Sequence, residues 1–71
     1  MVDTTRLKEL IDDSGMTMVA VALKTGITRA TLYNKLSGHA EFTISEAESI
    51  SDVLHLTASQ RNSIFFAKKV E

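Results

Sequence analysis

The stretch from Thr17 to Gly38 constrains the fold most, because it holds two short helical patterns with almost no chain between them. The first pattern runs from Thr17 to Thr25 and the second from Thr28 to Leu36. Gly26 can adopt the left-handed conformation that ends a helix, and the Thr28 hydroxyl can cap the N-terminus of the next one. A single residue remains between these two signals, so the sequence predicts two helices joined by a tight turn.

Small and apolar residues flank the turn and suit a close contact between the two helices. Ala22 lies four residues before Gly26, where only a small side chain lets the helices approach. Ile27 is placed to pack against Leu32 as a hydrophobic staple. Together with Val21 and Leu36, these two residues supply the predicted contacts beneath the turn. The rest of the second helix is predicted to face outward: Arg29, Ala30, Thr31, Tyr33, Asn34 and Lys35. The arrangement is that of a helix-turn-helix.

The residues of this motif carry a resemblance to a known family. They are Thr17, Val21-Ala22, Gly26-Ile27-Thr28-Arg29, Thr31-Leu32 and Leu36-Ser37-Gly38. In this order they resemble the lambda-repressor and Cro type of helix-turn-helix domain. The chain is more closely similar to small Cro-like regulators and modulator-of-repression (antirepressor) proteins of phages of Gram-positive bacteria. The resemblance covers nearly the whole chain and implies a compact all-α fold of five helices, with the helix-turn-helix formed by helices 2 and 3.

The remaining three helices are predicted from capping residues and apolar spacing. Asp3, Thr4 or Thr5 can cap the first helix, which ends at Gly15. Its predicted core face consists of Leu7, Leu10 and Ile11. Thr43 with Glu46, and Thr57 with Gln60, have the spacing of capping boxes at the starts of the fourth and fifth helices. The predicted core stripe of the fourth helix is Ile44, Ala47, Ile50 and Leu54.

The fifth helix is predicted to run towards Lys68, with Ile64, Phe65 and Phe66 as its apolar residues. Lys68 and Lys69 then fall in its last turn, where positive charge opposes the helix dipole favourably. Adjacent residues of a helix are about 100 degrees apart, so one of the two phenylalanines can enter the core while the other points elsewhere.

Length and composition limit the class of protein. A chain of 71 residues permits one domain, predicted to span 1–71. It contains no cysteine, so neither a disulfide nor a thiolate metal site is available. No apolar run approaches the roughly 20 residues of a membrane span, and the N-terminus lacks the order of a signal peptide. We therefore expect a cytoplasmic protein of the bacterial host cell that does not bind a membrane.

Charge is segregated along the chain although the net charge is only -1. Residues 17–40, called here the cationic segment, contain Lys24, Arg29 and Lys35 and no acidic residue. The flanks carry the other five basic residues against all nine acidic ones. One face could therefore approach DNA while the others repel it, with only a modest contribution from phosphate contacts.

The sequence offers no pattern for catalysis. His39 and His55 are the only histidines, and neither has a second ligand at metal-binding spacing. There is no glycine-rich phosphate loop and no nucleophile with a base placed beside it. We expect no enzyme activity, no cofactor, no metal and no small-molecule substrate.

The first functional hypothesis is a Cro-like regulator that binds double-stranded operator DNA at a phage lysis-lysogeny switch, as the resemblance implies. When such a motif docks on DNA, the N-terminal residues of its second helix meet base edges in the major groove. Arg29 is the strongest candidate, because its guanidinium can bond guanine O6 and N7 together. The predicted DNA-binding residues are Thr28, Arg29, Thr31 and Tyr33 for bases, with Asn34 and Lys35 for phosphates or the groove wall.

The second hypothesis is an antirepressor that binds the DNA-binding domain of a partner phage repressor. At the position of Met18 the DNA-binding relatives commonly carry glutamine, which can bond a phosphate, whereas a thioether cannot donate that bond. Met18, Val19 and Leu23 are predicted to form an exposed apolar surface. The alternative is that Met18 and Val19 pack against the loop near Phe42 or against the C-terminal helix. Phe65 and Phe66 are predicted to contribute to a protein contact or a homodimer. An antitoxin built on the same scaffold is a third alternative.

Overall fold

The computed structural model describes residues 2–66 and contains five α-helices in that range. They are α1 (Thr4–Asp13), α2 (Met18–Thr25), α3 (Arg29–Leu36), α4 (Ile44–Val53) and α5 (Ala58–Phe65). No strand occurs among the described residues. The predicted all-α architecture is therefore confirmed. The predicted continuation of the fifth helix, with Lys68 and Lys69, lies outside the described residues.

Each helix begins directly after a residue whose side chain accepts a hydrogen bond from the backbone N–H three positions on. The five capping residues are Asp3, Thr17, Thr28, Thr43 and Thr57. At Thr43 and Thr57 the reciprocal bond is also present, so both predicted capping boxes form. Side-chain oxygens placed in this way satisfy backbone donors that the first turn of a helix leaves unpaired.

The turn between α2 and α3 has the predicted geometry. Gly26 has φ 75° and ψ 13°, in the left-handed region, and its N–H donates to the Ala22 carbonyl at 3.0 Å. The Thr25 hydroxyl donates to the Val21 carbonyl at 2.8 Å, which further closes the end of α2. Ile27 is buried immediately after the turn. The angle between α2 and α3 is thus held by local hydrogen bonds and by an apolar residue beneath them.

One core lies beneath all five helices. Its buried apolar residues are Leu7, Ile11, Val21, Ala22, Ile27, Leu32, Leu36, Ala47, Ile50, Ile64 and Phe65. The start of α1 is bonded to α5, since the Asp3 N–H donates to the Ile64 carbonyl at 2.7 Å. Leu10 and Leu54 are only partly buried and pack against its edge. No helix of residues 2–66 has the length and apolar character needed to cross a bilayer.

The prediction that Ile44 belongs to the core stripe of α4 is wrong. Its side chain is 69% exposed at the first position of the helix. Phe42, on the other side of the Thr43 cap, packs against the core instead, with its ring edge-on to that of Phe65 at a centroid distance of 5.7 Å. A residue just before an N-cap can point inward as part of a hydrophobic staple. The core next to the start of α4 is therefore filled by Phe42 of the preceding loop.

Candidate nucleic-acid interface

The helix α3 has one buried side and one exposed side. Leu32 and Leu36 are buried and anchor it to the core. The exposed residues recur at intervals that bring them onto one surface, since residues three and four apart are neighbours on a helix. We call this surface the outward face of α3, and it consists of Arg29, Ala30, Tyr33, Asn34 and Ser37. The core thus holds one side of α3 and leaves the other side accessible to a ligand.

Three of the four predicted base-reading residues, Thr28, Arg29 and Thr31, lie at the N-terminal end of α3, and Tyr33 follows in the middle of the helix. The Thr28 hydroxyl accepts the Thr31 N–H at 3.2 Å and donates to the Thr31 hydroxyl oxygen at 2.9 Å. Thr31 is half-buried, so it lies at the edge of the face rather than at its centre. Arg29 is exposed and its side chain makes no hydrogen bond or ion pair within residues 2–66. Its guanidinium donors are available to a ligand.

Lys35 does not face outward as predicted. Its Nζ forms a hydrogen bond and salt bridge with Glu46 Oε1 on α4. The Lys35 side chain is 13% exposed and that of Glu46 is 19% exposed. The reason is tertiary, because the loop after α3 returns the start of α4 to the last turn of α3. Lys24 and Arg29 therefore remain as the exposed basic residues of the cationic segment.

The Glu46 carboxylate is held from two directions. Besides the Lys35 ammonium, its Oε1 accepts the Thr43 N–H of the capping box at 2.8 Å. Partial burial alone would raise the pKa of Glu46, but the hydrogen bonds from Lys35 and Thr43 and the charge of Lys35 outweigh it. The pKa of this carboxyl is therefore lower than its ordinary value of 4.5.

The C-terminal end of the outward face includes a residue that the sequence did not single out. The His39 N–H donates to the Asn34 carbonyl at 3.1 Å, and its Nδ1 lies 2.8 Å from the Ser37 hydroxyl. His39 is exposed. With Ala30, Asn34 and Ser37 it lines a shallow depression on the surface of α3. In the sequence, Ser37 and Gly38 indicate a turn directly after α3, and this turn brings His39 back towards the helix.

Met18 lies apart from the other two residues of the predicted apolar surface. It is half-buried and packs against the core, in a cleft between α1, α2 and α3 that Ile11, Tyr33 and Leu36 also line. The prediction that Met18 is exposed together with Val19 and Leu23 is therefore wrong. The first turn of α2 lies beside α1 and α3, so the Met18 side chain packs against the core and lines the cleft between the three helices.

Val19 and Leu23 are exposed as predicted, by 45% and 78%. They lie one turn apart on α2, beside a shallow groove that Gly26, Ile27 and Arg29 also line. Of the two phenylalanines, Phe65 is buried in the core and Phe66 is 49% exposed. This division agrees with their spacing on the helix, and it removes Phe65 from any surface that the folded monomer presents.

No group of three or more histidine, cysteine or acidic residues that could hold a metal ion occurs in the described part of the chain.

A comparison with protein-family models matches residues 6–60 to the Cro/C1-type HTH DNA-binding domain. The comparison with curated proteins and that with solved structures each found no match. The matched region begins in α1, contains α2, the turn at Gly26, α3 and α4, and ends in α5. It thus includes the outward face of α3 and every helix that supports it. The chain belongs to the family of Cro/C1-type helix-turn-helix DNA-binding domains.

Proposed function

We propose that this protein is a phage-type transcriptional regulator that binds operator DNA through the outward face of α3 and acts at a lysis-lysogeny switch. The observation that carries the proposal is the exposed Arg29 guanidinium at the start of a helix anchored by Leu32 and Leu36. A side chain at this position of a recognition helix reaches base edges in the major groove.

Three residues of the face have a role in this proposal. Arg29 bonds guanine O6 and N7, Tyr33 contacts base edges, and Asn34 contacts phosphates or the groove wall. Thr28 and Thr31, at the start of the helix, offer hydroxyl groups to base edges. Only Lys24 and Arg29 of the cationic segment are exposed, so counterion release is small. Base contacts must then supply much of the discrimination between sequences.

Fluorescence anisotropy of labelled duplexes tests the proposal. The DNA beside the protein's own gene is compared with a random duplex over a range of salt concentrations. Arg29→Ala should weaken binding to the preferred DNA by roughly 5- to 150-fold, which corresponds to about 1–3 kcal/mol, and should relax the preference at one base pair. Lys24→Ala is the matched control, because it removes the same charge from an exposed site on α2 and should weaken both duplexes alike. Equal binding of the wild type to both duplexes would contradict the proposal.

A dimer on two half-sites about one helical turn apart is the arrangement that the docking geometry favours. The exposed Phe66 ring supports a contact between two copies through the end of α5. Sedimentation velocity with and without operator DNA tests this part of the proposal, and Phe66→Ala should shift the sedimenting species towards the monomer. Unchanged sedimentation would exclude Phe66 from such a contact.

A second candidate function is supported by the exposed pair on α2. Val19 and Leu23 would bind the DNA-binding domain of a partner repressor and so act as an antirepressor surface. Exposed acidic residues on α1, among them Asp12 and Asp13, add charge that attracts a basic DNA-reading surface.

The double variant Val19→Ser with Leu23→Ser separates the two functions. It should abolish co-purification with the repressor and leave operator binding by the wild-type face of α3 intact. Ile44→Ser is the matched control, because it removes an exposed aliphatic side chain on α4. If the repressor binds the double variant as well as the wild type, the antirepressor surface is elsewhere or absent.

A further inference from the structure

The pairing of Lys35 with Glu46 has a consequence for the salt dependence of DNA binding, and this inference rests on the proposed function. We propose that Glu46 is a positioning residue that lowers the affinity for duplex DNA of any sequence, and the salt dependence of that affinity, because it holds the Lys35 ammonium away from the phosphate backbone.

Without Glu46, the Lys35 ammonium could reach a DNA phosphate from its position on α3. It follows Asn34 in the last turn of α3, so its Cα–Cβ direction lies about 100 degrees around the helix from Asn34, the residue of the outward face nearest to it. A lysine side chain has a flexible four-carbon stem and carries a compact charge at its end. Released from α4, this stem allows the ammonium to swing towards DNA docked on the outward face.

In the folded protein the Lys35 ammonium is instead directed to α4. Its Nζ bonds Glu46 Oε1, and only 13% of the side chain is exposed. The same carboxylate oxygen is fixed by the Thr43 N–H at 2.8 Å. Because the capping box has already ordered Glu46, pairing requires the ordering of only one long side chain. This arrangement is better organised than an ion pair between two mobile surface residues.

Withholding one cation affects binding to all DNA sequences alike. Each phosphate neutralised by a lysine or arginine contributes about 0.9 to the slope of log K against log salt for duplex DNA. A phosphate contact adds affinity for operator and random duplex in the same proportion, and carries no sequence information. The ratio of operator to random affinity is therefore unchanged by the pairing, which lowers the strength and the salt dependence of binding to every duplex.

The chain supplies a conservative variant for the test. Glu46→Gln removes the charge and keeps the capping box, since glutamine serves the same position in the box of α5, where Gln60 Oε1 accepts the Thr57 N–H at 2.9 Å. Glu48→Gln is the matched control. It makes the same change in net charge on the same helix, at an exposed position that forms no ion pair within the described residues.

The experiment is an anisotropy titration of the preferred and random duplexes between about 50 and 200 mM salt. Glu46→Gln should bind random duplex several-fold more tightly at low salt, with a slope steeper by about 0.9. Lys35→Gln alone should leave the slope of the wild type unchanged, and added to Glu46→Gln it should restore that slope. Glu48→Gln should retain the wild-type slope. Circular dichroism confirms that each variant is folded.

The outcomes separate this inference from the proposed function. If the wild type prefers its own DNA but Glu46→Gln has an unchanged slope, the inference is wrong and the proposed function stands. The inference is equally wrong if Glu48→Gln steepens the slope as much, or if Lys35→Gln alone lowers it. If neither the wild type nor Glu46→Gln binds any duplex, the proposed function fails and the inference fails with it.

Discussion

The capping boxes of α4 and α5 have the same local geometry and differ in what they contact. In α4 the Thr43 N–H donates to Glu46 Oε1 at 2.8 Å, and in α5 the Thr57 N–H donates to Gln60 Oε1 at 2.9 Å. The return bonds to the two threonine hydroxyls are both 3.1 Å long. Only Glu46 also contacts another helix, through Lys35, whereas Gln60 is exposed and makes no bond outside its box in the described range.

This difference shows that one local motif can have two structural roles. Both boxes satisfy the backbone donors at the start of a helix. The box of α4 additionally links the start of that helix to the last turn of α3, through Lys35. The link is an ion pair, and it requires both the carboxylate at the third position of α4 and a lysine on α3 within reach of it.

The largest expected effect follows from removing each threonine cap. Thr43→Ala and Thr57→Ala should each lower the free energy of unfolding by about 1 kcal/mol, the usual cost of losing such a cap. Thr43→Ala should cost more, because it also loosens the support of the Lys35 pair. Urea denaturation of the two variants measures the difference. A greater loss for Thr57→Ala would show that the link to α3 adds no stability.

A smaller effect follows from exchanging the two acceptors. Glu46→Gln should lower the free energy of unfolding by about 0.5–1 kcal/mol, because it removes a largely buried ion pair and keeps the capping box. Gln60→Glu should be neutral or stabilise by a few tenths of a kcal/mol, since a carboxylate suits the start of a helix. Thermal or urea unfolding of both variants provides the measurement. Equal and opposite effects would mean that the helix dipole explains both and that Lys35 contributes nothing.

The smallest effect concerns the pH dependence of stability. The pKa of Glu46 is lower in the folded protein than its ordinary value of 4.5. Its stabilising contribution is therefore complete above pH 4.5, and it decreases as the pH falls from there through the lowered value of the folded state. The stability difference between the wild type and Glu46→Gln should narrow in this acidic window. A constant difference across the window would contradict the assigned cause.

Several features of the fold could be predicted because they depend on residues close together in the chain. The threonine caps and the left-handed turn at Gly26 involve hydrogen bonds that span no more than four residues. The burial of Leu32 and the exposure of Leu23 followed from helical spacing. Helical spacing also predicted that one of Phe65 and Phe66 would be buried and the other would not.

The features that could not be predicted depend on which distant residues meet. Ile44 has the spacing of a core residue, yet Phe42 fills that end of the core. Met18 packs in a cleft between α1, α2 and α3, and His39 lies beside Asn34 and Ser37 at the end of the outward face. For each of these residues, its position in the sequence was compatible with a buried and with an exposed side chain.

The sequence by itself determined the five helix starts, the turn at Gly26 and the polar face of α3, because short-range hydrogen bonds and helical periodicity are encoded within a few residues. Only the tertiary structure decided that Lys35 lies against Glu46 rather than on the outward face. A charged side chain pairs with whichever opposite charge the packed helices bring close to it. The distance between Lys35 and Glu46 depends on the packing of α3 against α4 and cannot be read from neighbouring residues in the sequence.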